Sequence, residues 1–331
     1  MDINESIDFV IPWVDGSDPK WIEEFNKFCP EDKRILDVST ERYRDNGLLK
    51  YWFRGVEEYA PWVRKVHFIT CGQKPVWLNL DAPKLSWVKH SDYIKNEYLP
   101  VFSANPIELS MHNISDLAEH FVYFNDDFFL TSPIKKDFFF RNGLPCDAAV
   151  SNALSPTKMS YIVFNDLACI NKDFNRNSII KQMPTKWFSL KYGKHLFRTL
   201  FLLPWPHFTG IFDPHFAYPY TKTELNNVWA TYPDKLSETM KNKFRSNNDV
   251  NQWLFRYWRI CKGDFYPQHP TKNKRYFSMN DDAKKIKKAL ISHKYKEIVL
   301  NDDDVIDYDE KIKIITEAFE AILPNKSSFE I

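Results

Sequence analysis

Two short apolar runs in this sequence end directly in acidic loops, and this arrangement limits the folds open to the chain. The run IDFVIPW (7–13) stops at DGSD (15–18), and FVYF (121–124) stops at Asn125-Asp126-Asp127. Short apolar runs bounded by turn residues are typical of buried strands. Segments of helical periodicity separate such runs, so we predict an α/β fold with a mainly parallel sheet flanked by helices.

The same periodicities predict the order of elements along the chain. Strands are expected at 7–13, 66–70, 85–88, 121–124 and 298–300, and helices at 42–59, 107–120, 221–232, 234–244, 249–261, 284–296 and 310–323. Asn248 or Asp249 is expected to cap the helix at 249–261. The middle of the chain, 142–219, mixes Pro, Gly and Asn with short apolar runs and predicts loops, short helices and one strand. We expect a single catalytic domain over 1–331.

Composition excludes several classes of protein. The 45 basic and 44 acidic residues give a net charge of +1, so nucleic acid is not expected as a partner. The five cysteines are odd in number and lack a Cys-x-x-Cys pair, which indicates neither a disulfide framework nor a zinc site. The N-terminus is acidic where a signal peptide would be basic, and the most apolar stretch (196–205) is interrupted by Arg198 and Pro204. We expect a soluble, cytoplasmic protein.

The acidic pair Asp126-Asp127 is the first candidate site. Ligands of parallel α/β sheets bind outside the carboxyl ends of the strands, where both acidic loops are predicted to lie. Carboxylate oxygens are the ligands that hard divalent cations prefer, and Mg²⁺ (or Mn²⁺) bound here would neutralise a diphosphate. A structural interpretation is also open, because an Asp after a strand commonly forms a helix cap or an Asx-turn.

Two further acidic loops can likewise be interpreted either as a binding site or as a structural turn. In WVDGSDP (13–19), Trp13 could stack a uridine while Asp15 or Asp18 binds a ribose hydroxyl or a base edge. The alternative is a tight turn that uses the backbone freedom of Gly16. In VLNDDDV (299–305), the sequence repeats the pattern of a strand followed by acidic residues, and Asp302 could converge with Asp126-Asp127 on one cation. A run of charge is more often a solvated cap.

One histidine and one arginine are candidates for the chemistry itself. His215 lies in DPHFAYPY between Pro214 and Pro219, and a stiff loop of this kind would hold an imidazole in position to take a proton from a hydroxyl group. Arg245 lies in FRSNND at the expected end of a helix, where a guanidinium can bind a phosphate with two hydrogen bonds.

In this order, the segments resemble the Stealth family of hexose-1-phosphate transferases, which includes bacterial capsule polymerases and the lysosomal-enzyme GlcNAc-1-phosphotransferase. IDFVIPWVDGSDPKW resembles the first of the four family blocks. The stretch from RYRDNGLLKYWF to FVYFNDDFFL resembles the second, which is the most specific. DPHFAYPYTKTELNNVW through FRSNNDVNQWLF resembles the third, and IVLNDDD the fourth. The resemblance leaves out roughly 145–212.

The resemblance implies transfer of a sugar-1-phosphate from a UDP-sugar to an acceptor hydroxyl, with release of UMP. It also implies a nucleotide-sugar transferase (GT-A-like) core with added helices, in which 1–145 binds the donor and metal and 146–331 binds the acceptor and carries catalysis. It assigns these residues: Asp126, Asp127 and Asp302 to metal and diphosphate, His215 as general base, Arg245 to phosphate, and Arg42, Asp45 and Asn46 to the donor. The fourth block departs from the family pattern, because three acidic residues follow Asn301 instead of one.

Two other functions are compatible with the residues. A metal-dependent glycosyltransferase would use the same acidic strand end but would break the sugar C1–O bond and release UDP. A non-catalytic carbohydrate-binding protein would use the aromatic residues to stack sugars and the acidic clusters to hold structural calcium. The lysine-rich helix expected near 284–296 indicates a solvated face, or contact with an anionic polymer or, peripherally, with the inner face of an anionic membrane.

Overall fold

A computed structural model describes residues 5–29, 46–157, 160–302 and 307–331 of the chain. The strands are β1 (Ile7–Pro12), β2 (Val66–Thr70), β3 (Leu85–Lys89), β4 (His120–Tyr123), β5 (Phe128–Leu130), β6 (Phe140–Arg141), β7 (Leu144–Asp147), β8 (Tyr218–Thr221), β9 (Tyr266–Pro267), β10 (Lys274–Ser278) and β11 (Glu297–Asn301). The first α-helices are α1 (Pro19–Phe28), α2 (Leu49–Tyr59), α3 (Ala104–Leu109), α4 (Ser160–Asp173), α5 (Arg176–Gln182) and α6 (Pro184–Trp187). They are followed by α7 (Leu196–Phe201), α8 (Lys222–Thr231), α9 (Pro233–Met240), α10 (Trp253–Lys262), α11 (Ala283–Ile291) and α12 (Tyr308–Ile322).

The main sheet has five strands in the order β3-β2-β1-β4-β8. The first four are parallel, and β8 runs antiparallel to β4. The chain adds β2 and β3 on one side of β1 and then returns to add β4 on the other side. The gap between the carboxyl ends of β1 and β4 is therefore the point where strand order reverses, and clefts form at such points. The predicted α/β class with a mainly parallel, helix-flanked sheet is confirmed, and the order suits a GT-A-like core with added helices.

A smaller three-stranded sheet, in the order β10-β11-β5, begins where the acidic pair ends. β5 follows Asp127 directly and pairs antiparallel with β11, with Phe128 opposite Val299. β10 and β11 are parallel to one another. Both this sheet and the main sheet contain strands from 1–145 and from 146–331. The assignment of donor binding to 1–145 and of acceptor binding and catalysis to 146–331 stays a prediction.

Apolar residues cover both faces of the main sheet. Phe9 and Ile11 of β1 point into one buried cluster with Trp52 and Phe53 of α2. Val10, between them, belongs to the cluster on the other face, which contains residues of α8 and α10. This alternation is the period of two expected for a strand buried on both faces. The two clusters fix β1 and β4, and so fix the loops that follow them.

Several predicted element boundaries were wrong. The helix expected at 107–120 ends at Leu109, and a short 3₁₀ turn (Met111–Asn113) and loop follow it. Ser110, Asn113 and Asp116 offer side-chain hydrogen bonds that compete with helix continuation. The helix expected at 249–261 begins at Trp253, and Asp249 binds loop groups instead of capping it. The middle region contains a 14-residue helix, α4, and two strands, β7 and β8, where short helices and one strand were expected.

Other boundaries shift by a few residues. Residues 46–48 precede α2, which begins at Leu49 rather than at 42, and 42–45 lie outside the described residues. α9 ends at Met240 and α11 at Ile291, both earlier than expected. α1 was not predicted. No helix in the described portion is both long enough and apolar enough to cross a lipid bilayer.

Candidate functional site

A cleft of about 270 Å³ opens where β1 and β4 end. Trp13 follows β1 into its wall, and Tyr123, Asn125 and Asp126 enter it from the end of β4. Arg245 lines the same cleft from the loop after α9. The cleft therefore combines an aromatic face, a carboxylate and a guanidinium, which are the groups needed to hold a base, a cation and a phosphate.

The acidic pair lies at the mouth of this cleft. Phe128 donates its backbone N–H to the Asn125 carbonyl at 3.2 Å, which closes a tight turn around Asp126 and Asp127. Asp126 is exposed, whereas Asp127 is half-buried. Burial raises the pKa of Asp127 well above its ordinary value, and the negative charges of Asp126 and Asp302 raise it further. Two neighbouring carboxylates therefore act on Asp127.

The second acidic cluster reaches the first through strand pairing. Asp302 follows β11, and β11 lies beside β5, which starts after Asp127. The backbone N–H of Leu300 donates to the Asp127 carbonyl at 3.0 Å. Asp302 thus lies close enough to Asp127 for their charges to interact. The described segments contain no group of three or more His, Cys, Asp or Glu side chains arranged to hold a metal ion, and the convergence of the two clusters on one cation stays a prediction. Asp303 and Asp304 lie outside those segments.

The side chains of the acidic cluster are nevertheless chemically suited to bind a hard divalent cation. They offer carboxylate oxygens, and the negative charges around Asp127 make its ionised form costly in the absence of a positive partner. A diphosphate could supply the remaining oxygen ligands. Asp126, Asp127 and Asp302 therefore fit Mg²⁺ or Mn²⁺ in chemistry.

His215 lies beside the acidic pair. Its ring packs edge-on against Phe128, with ring centroids 5.0 Å apart, and Phe128 is the residue after Asp127. Its backbone is left-handed, with φ of 56°, in the loop between Asp213 and β8. Burial lowers the pKa of His215 below its ordinary value. The imidazole is therefore neutral at pH 7 and able to accept a proton.

Buried charges anchor the His215 loop on both sides. On one side, Glu297 of β11 accepts the backbone N–H of Ala217 at 2.5 Å and pairs with Lys274 at 2.9 Å. On the other side, the Asp213 carboxylate binds the Arg256 guanidinium and the Tyr257 hydroxyl. Sequence analysis missed these anchors, because each pairs residues more than 20 positions apart in the chain.

Arg245 does not end a helix as expected, because α9 stops at Met240. It lies in a loop that Asp249 organises. The Asp249 carboxylate accepts hydrogen bonds from the Ser246 backbone N–H at 2.9 Å and from the side-chain amides of Asn105 and Asn242 at 2.8 and 2.7 Å. The loop that carries Arg245 over the cleft is thus held in place without α9.

Glu108 is a cleft residue that sequence analysis missed. Its buried carboxyl group lines the cleft and accepts a hydrogen bond of 2.9 Å from the Tyr123 hydroxyl. Burial raises its pKa to about 7, although Tyr123 and the positive charge of Arg245 act in the opposite direction. A lone Glu in ANPIEL gives no local signal, since its burial depends on contacts with elements far away in sequence, such as Tyr123 of β4 and the helix α9 that packs against α3.

The other residues predicted to bind the sugar donor either make hydrogen bonds within their own loops or lie outside the described residues. Asp18 caps α1 by accepting the Lys20 N–H at 2.9 Å, and Asp15 accepts the Ser17 N–H at 2.9 Å, so the WVDGSDP loop uses both carboxylates in its own turn. Asn46 accepts the Leu48 N–H at 3.2 Å, just before α2. Arg42 and Asp45 lie outside the described residues. The donor roles of these five residues stay predictions.

The family models and the curated relatives that match this chain agree with one another. Family models described as Stealth protein CR1, conserved region 1, and Stealth protein CR2, conserved region 2, match residues 5–28 and 42–147. The capsular polysaccharide phosphotransferase WcwK of Streptococcus pneumoniae is 43% identical over 330 residues, which is 98% of each chain. The exopolysaccharide phosphotransferase cps2G of Lactiplantibacillus plantarum is 38% identical over 98% of this chain and 96% of its own.

Solved structures of glycosyltransferases can be compared over nearly the whole chain. The apo structure of the bifunctional glycosyltransferase WbbM covers 96% of this chain and 52% of its own, at 10% identity and a TM-score of 0.38. A similarity of this size carries no functional conclusion.

Proposed function

This chain belongs to the Stealth family of polysaccharide phosphotransferases, and from that membership we propose that it transfers a sugar-1-phosphate from a UDP-sugar to a hydroxyl group of an acceptor glycan. The products are a phosphodiester and UMP. The chain is a phosphotransferase of capsular or cell-surface polysaccharide synthesis, with a sugar donor and a polysaccharide acceptor. The UDP group, the hexose or HexNAc identity of the sugar, and the residue roles below belong to the proposal.

The observation that supports the proposal is that distant segments meet around Asp126 and Asp127, of which Asp126 lines the cleft. Asp126-Asp127 arrives from β4, Asp302 from β11, and His215 from the loop before β8. Arg245 faces the cleft from the loop after α9. A binding module has no need for a neutral, anchored imidazole beside a carboxylate cluster, whereas a transferase that must deprotonate a hydroxyl group does.

The cleft offers a place for each part of the donor. Trp13 lines the cleft and would supply the face on which uracil stacks. Asp15 or Asp18, in the loop that follows Trp13, would bind the ribose. Arg42, Asp45 and Asn46 complete the donor-binding set by family resemblance. Arg245 would bind a phosphate through its guanidinium. Asp126, Asp127 and Asp302 would hold Mg²⁺ or Mn²⁺, which when bound neutralises charge on the diphosphate.

His215 would then perform the proton transfer. The acceptor hydroxyl gives its proton to the imidazole as its oxygen forms a bond to the β-phosphorus. The bond between the β-phosphorus and the oxygen that bridges to the α-phosphorus breaks, and UMP leaves with that bridging oxygen. Arg245 stabilises negative charge on the phosphoryl oxygens during this displacement.

We also propose that the enzyme works in the cytoplasm, peripherally at the inner face of the membrane. Positively charged surface is the support for this proposal, because anionic lipid attracts clusters of Lys and Arg. The lysines of α11 offer one such surface: Lys284, Lys285 and Lys288 are exposed, while Ile286 and Leu290 pack into the core.

One product analysis tests the reaction. Purified protein would be incubated with a panel of UDP-sugars, acceptor oligosaccharides and Mg²⁺, and the released nucleotide and the phosphorus linkage of the product would be identified. UMP with a phosphodiester-linked product is the expected result. Release of UDP would establish a glycosyltransferase instead. If protein shown to be folded consumed no nucleotide sugar although metal stabilised it, a non-catalytic carbohydrate-binding protein would be the better description.

A further inference from the structure

A cluster of large apolar side chains is exposed on and after α7. Phe197 and Phe201 are 60% and 75% exposed, and their rings stack with centroids 6.4 Å apart. Leu200 lies on the same side of this helix, three residues after Phe197, and Trp205 in the following turn is 51% exposed. Exposed apolar residues scattered singly are ordinary, but a contiguous group marks a contact surface. We refer to residues 197–205 as the aromatic surface.

Buried hydrogen bonds hold the aromatic surface from beneath. The Thr199 hydroxyl, on the opposite side of α7, accepts the Ser151 backbone N–H at 3.0 Å. The Arg176 guanidinium donates to the Trp205 carbonyl at 2.9 Å. The Asn171 side-chain amide donates to the Phe208 carbonyl at 2.9 Å. The aromatic side chains are therefore displayed on a fixed backbone.

The segment that carries the aromatic surface has side-chain charge of one sign. The segment 174–212 contains six Lys or Arg residues and no Asp or Glu. Lys191, Lys194 and Arg198 are exposed among or beside the aromatic residues. Burial lowers the pKa of His195, and the positive charges of His269, Arg198 and Lys194 lower it further, which is the effect expected of a positive local field.

A basic pocket of about 380 Å³ adjoins this surface. Lys191, Arg141, Lys272 and Lys296 line it, and Asp137, its one acidic lining residue, pairs with Arg141 at 3.4 Å. Lys191 belongs both to the pocket and to the turn that leads into α7, where its ammonium group donates to the Tyr266 hydroxyl at 2.9 Å. The pocket thus has a net positive charge, is large enough for an oxyanion, and lies next to the aromatic surface.

We propose that the aromatic surface and the adjoining basic pocket dock the enzyme on an anionic lipid bilayer. Phe197, Phe201 and Trp205 enter the boundary between headgroups and acyl chains, and the pocket binds an anionic phosphate headgroup. Charge complementarity and the mixture of aromatic and basic residues select lipid over an apolar protein partner. The inference rests on the proposed peripheral location and, of the two positively charged surfaces, assigns docking to this one rather than to α11.

The position of this surface suits delivery of a membrane-held acceptor. The His195 ring lies 4.8 Å from the ring of Phe212, three residues before His215. By contrast, α11 packs against α12, where Lys287 pairs with Glu317 at 2.9 Å, so acidic residues border its lysines. Docking through the aromatic surface would bring lipid close to the loop proposed to activate the acceptor hydroxyl.

Vesicle flotation tests the proposal without any catalytic readout. The full chain would be mixed with vesicles of phosphatidylcholine alone or of phosphatidylcholine with phosphatidylglycerol. Two variants probe the surface: Phe197→Ser with Phe201→Ser, and Lys191→Gln with Lys272→Gln. Two matched controls make the same kinds of change elsewhere: Val76→Ser, which alters a 91% exposed apolar residue, and Lys284→Gln with Lys288→Gln on α11.

We expect the wild type to float with anionic vesicles and not with neutral ones. Each surface variant should lower the partition coefficient by about tenfold or more, because it loses buried apolar area or contacts to anionic lipid, and the controls should match the wild type. Trp205→Ser serves as a second aromatic variant if circular dichroism shows that the double variant misfolds.

Three results would overturn the proposal. The first is a wild type that floats with neither kind of vesicle, and the second is loss of flotation in the α11 control instead of the surface variants. The third is a dimer that the aromatic variant dissociates, with no lipid binding, which would make this surface an interface between copies of the chain. UMP release with a soluble acceptor, measured in parallel, separates failure of docking from failure of the proposed reaction.

Discussion

The backbone N–H of Leu300 donates a hydrogen bond of 3.0 Å to the carbonyl oxygen of Asp127. This bond joins the end of β11 to the turn after β4, although 173 positions separate the two residues in the chain. It fixes Asp302 close enough to Asp127 for their charges to interact. The register of the β5–β11 pair therefore sets the position of Asp302 relative to Asp127 in the acidic cluster.

Replacing Asp127 by Asn should reduce turnover by about 100-fold or more. The change removes one anionic ligand of the proposed cation, and charge stabilisation of this kind is worth several kcal/mol in the transition state, with about 1.4 kcal/mol for each tenfold. Since the side chain keeps its shape and loses a costly buried charge, thermal unfolding should occur at or above the wild-type temperature. Near-normal UMP release by folded Asp127→Asn would refute the metal-site role.

Replacing His215 by Asn should lower kcat/KM by about 10² to 10⁴-fold, the usual contribution of a general base. Asn is the suitable replacement because it tolerates the left-handed backbone at φ 56° better than Ala. Burial lowers the pKa of His215, so the acidic limb of the wild-type pH profile should lie below pH 6.5. That limb should disappear in the variant.

His293 provides the control for this substitution. It is also a left-handed histidine, with φ of 49°, and its ring contacts the Thr131 carbonyl at 2.9 Å outside the cleft. His293→Asn should leave both kcat/KM and the pH profile unchanged. Equal losses in both variants would assign the effect to backbone strain and remove the case for His215 as base.

Glu297→Gln should lower kcat by about 10- to 100-fold with little change in the KM for the donor. The amide oxygen can still accept the Ala217 N–H, but the ion pair with Lys274 is lost and the His215 loop becomes less well positioned. Glu317→Gln is the control, because it removes an exposed ion pair with Lys287 of the same length. A kcat equal to wild type in Glu297→Gln would exclude a positioning role.

A separate prediction concerns Asp8, which stabilises the sheet. Its buried carboxylate accepts hydrogen bonds from Arg64 at 2.8 and 2.5 Å, His67 at 2.9 Å and the Ala118 N–H at 2.8 Å. Burial alone would raise its pKa, but these partners hold the pKa below its ordinary value of 3.8. Its stabilising contribution is therefore complete above about pH 4 and is lost as pH falls through the lower folded-state pKa.

Asp8→Asn should consequently lower the free energy of unfolding at pH 7 by about 3–5 kcal/mol, because Arg64 loses its counter-charge and the buried site loses charge-assisted hydrogen bonds. Asp116→Asn, which removes an exposed partner of Arg64 and Lys65, should cost less than about 1 kcal/mol. Urea unfolding at pH 7 and pH 3 measures both effects. The difference between Asp8→Asn and wild type should shrink at the lower pH.

The strands that frame the cleft could be predicted from the sequence because their signals are local. IDFVIPW and FVYF are apolar runs next to turn residues, and the structure places β1 and β4 there. The pairing of β5 with β11 could be anticipated only as a possible convergence of acidic loops, since register depends on contacts across the whole chain.

Helices were harder to predict where tertiary contacts decide the outcome. α4 exposes Tyr161 and Phe164 to solvent, so its apolar residues do not lie on one face and their spacing does not show a clear helical period. The charges that anchor the His215 loop and the buried carboxyl of Glu108 depend on partners far away in sequence. Local sequence and family resemblance both pointed to His215 and Arg245 as candidates, but neither could predict these surroundings.

Glu108 leads to a pH-dependent prediction for donor binding. Its pKa of about 7 means that it changes from neutral to negative across the physiological range, in the wall of the cleft that also contains Arg245. The ionised form opposes binding of a negatively charged diphosphate and competes with it for the Arg245 charge. The KM for the donor should therefore rise as pH increases from 6 to 8, with a midpoint at the pKa of about 7.

Glu108→Gln should abolish this rise and hold KM near its low-pH value. The amide oxygen can still accept the Tyr123 hydroxyl, so the cleft wall keeps its shape. The cost of ionising a buried carboxyl also disappears, so unfolding at pH 8 should need at least as much urea as in the wild type. Initial rates at several donor concentrations from pH 6 to 8 measure the effect. A wild-type KM that is flat over this range, or a rise that persists in Glu108→Gln, would show that Glu108 does not control donor binding.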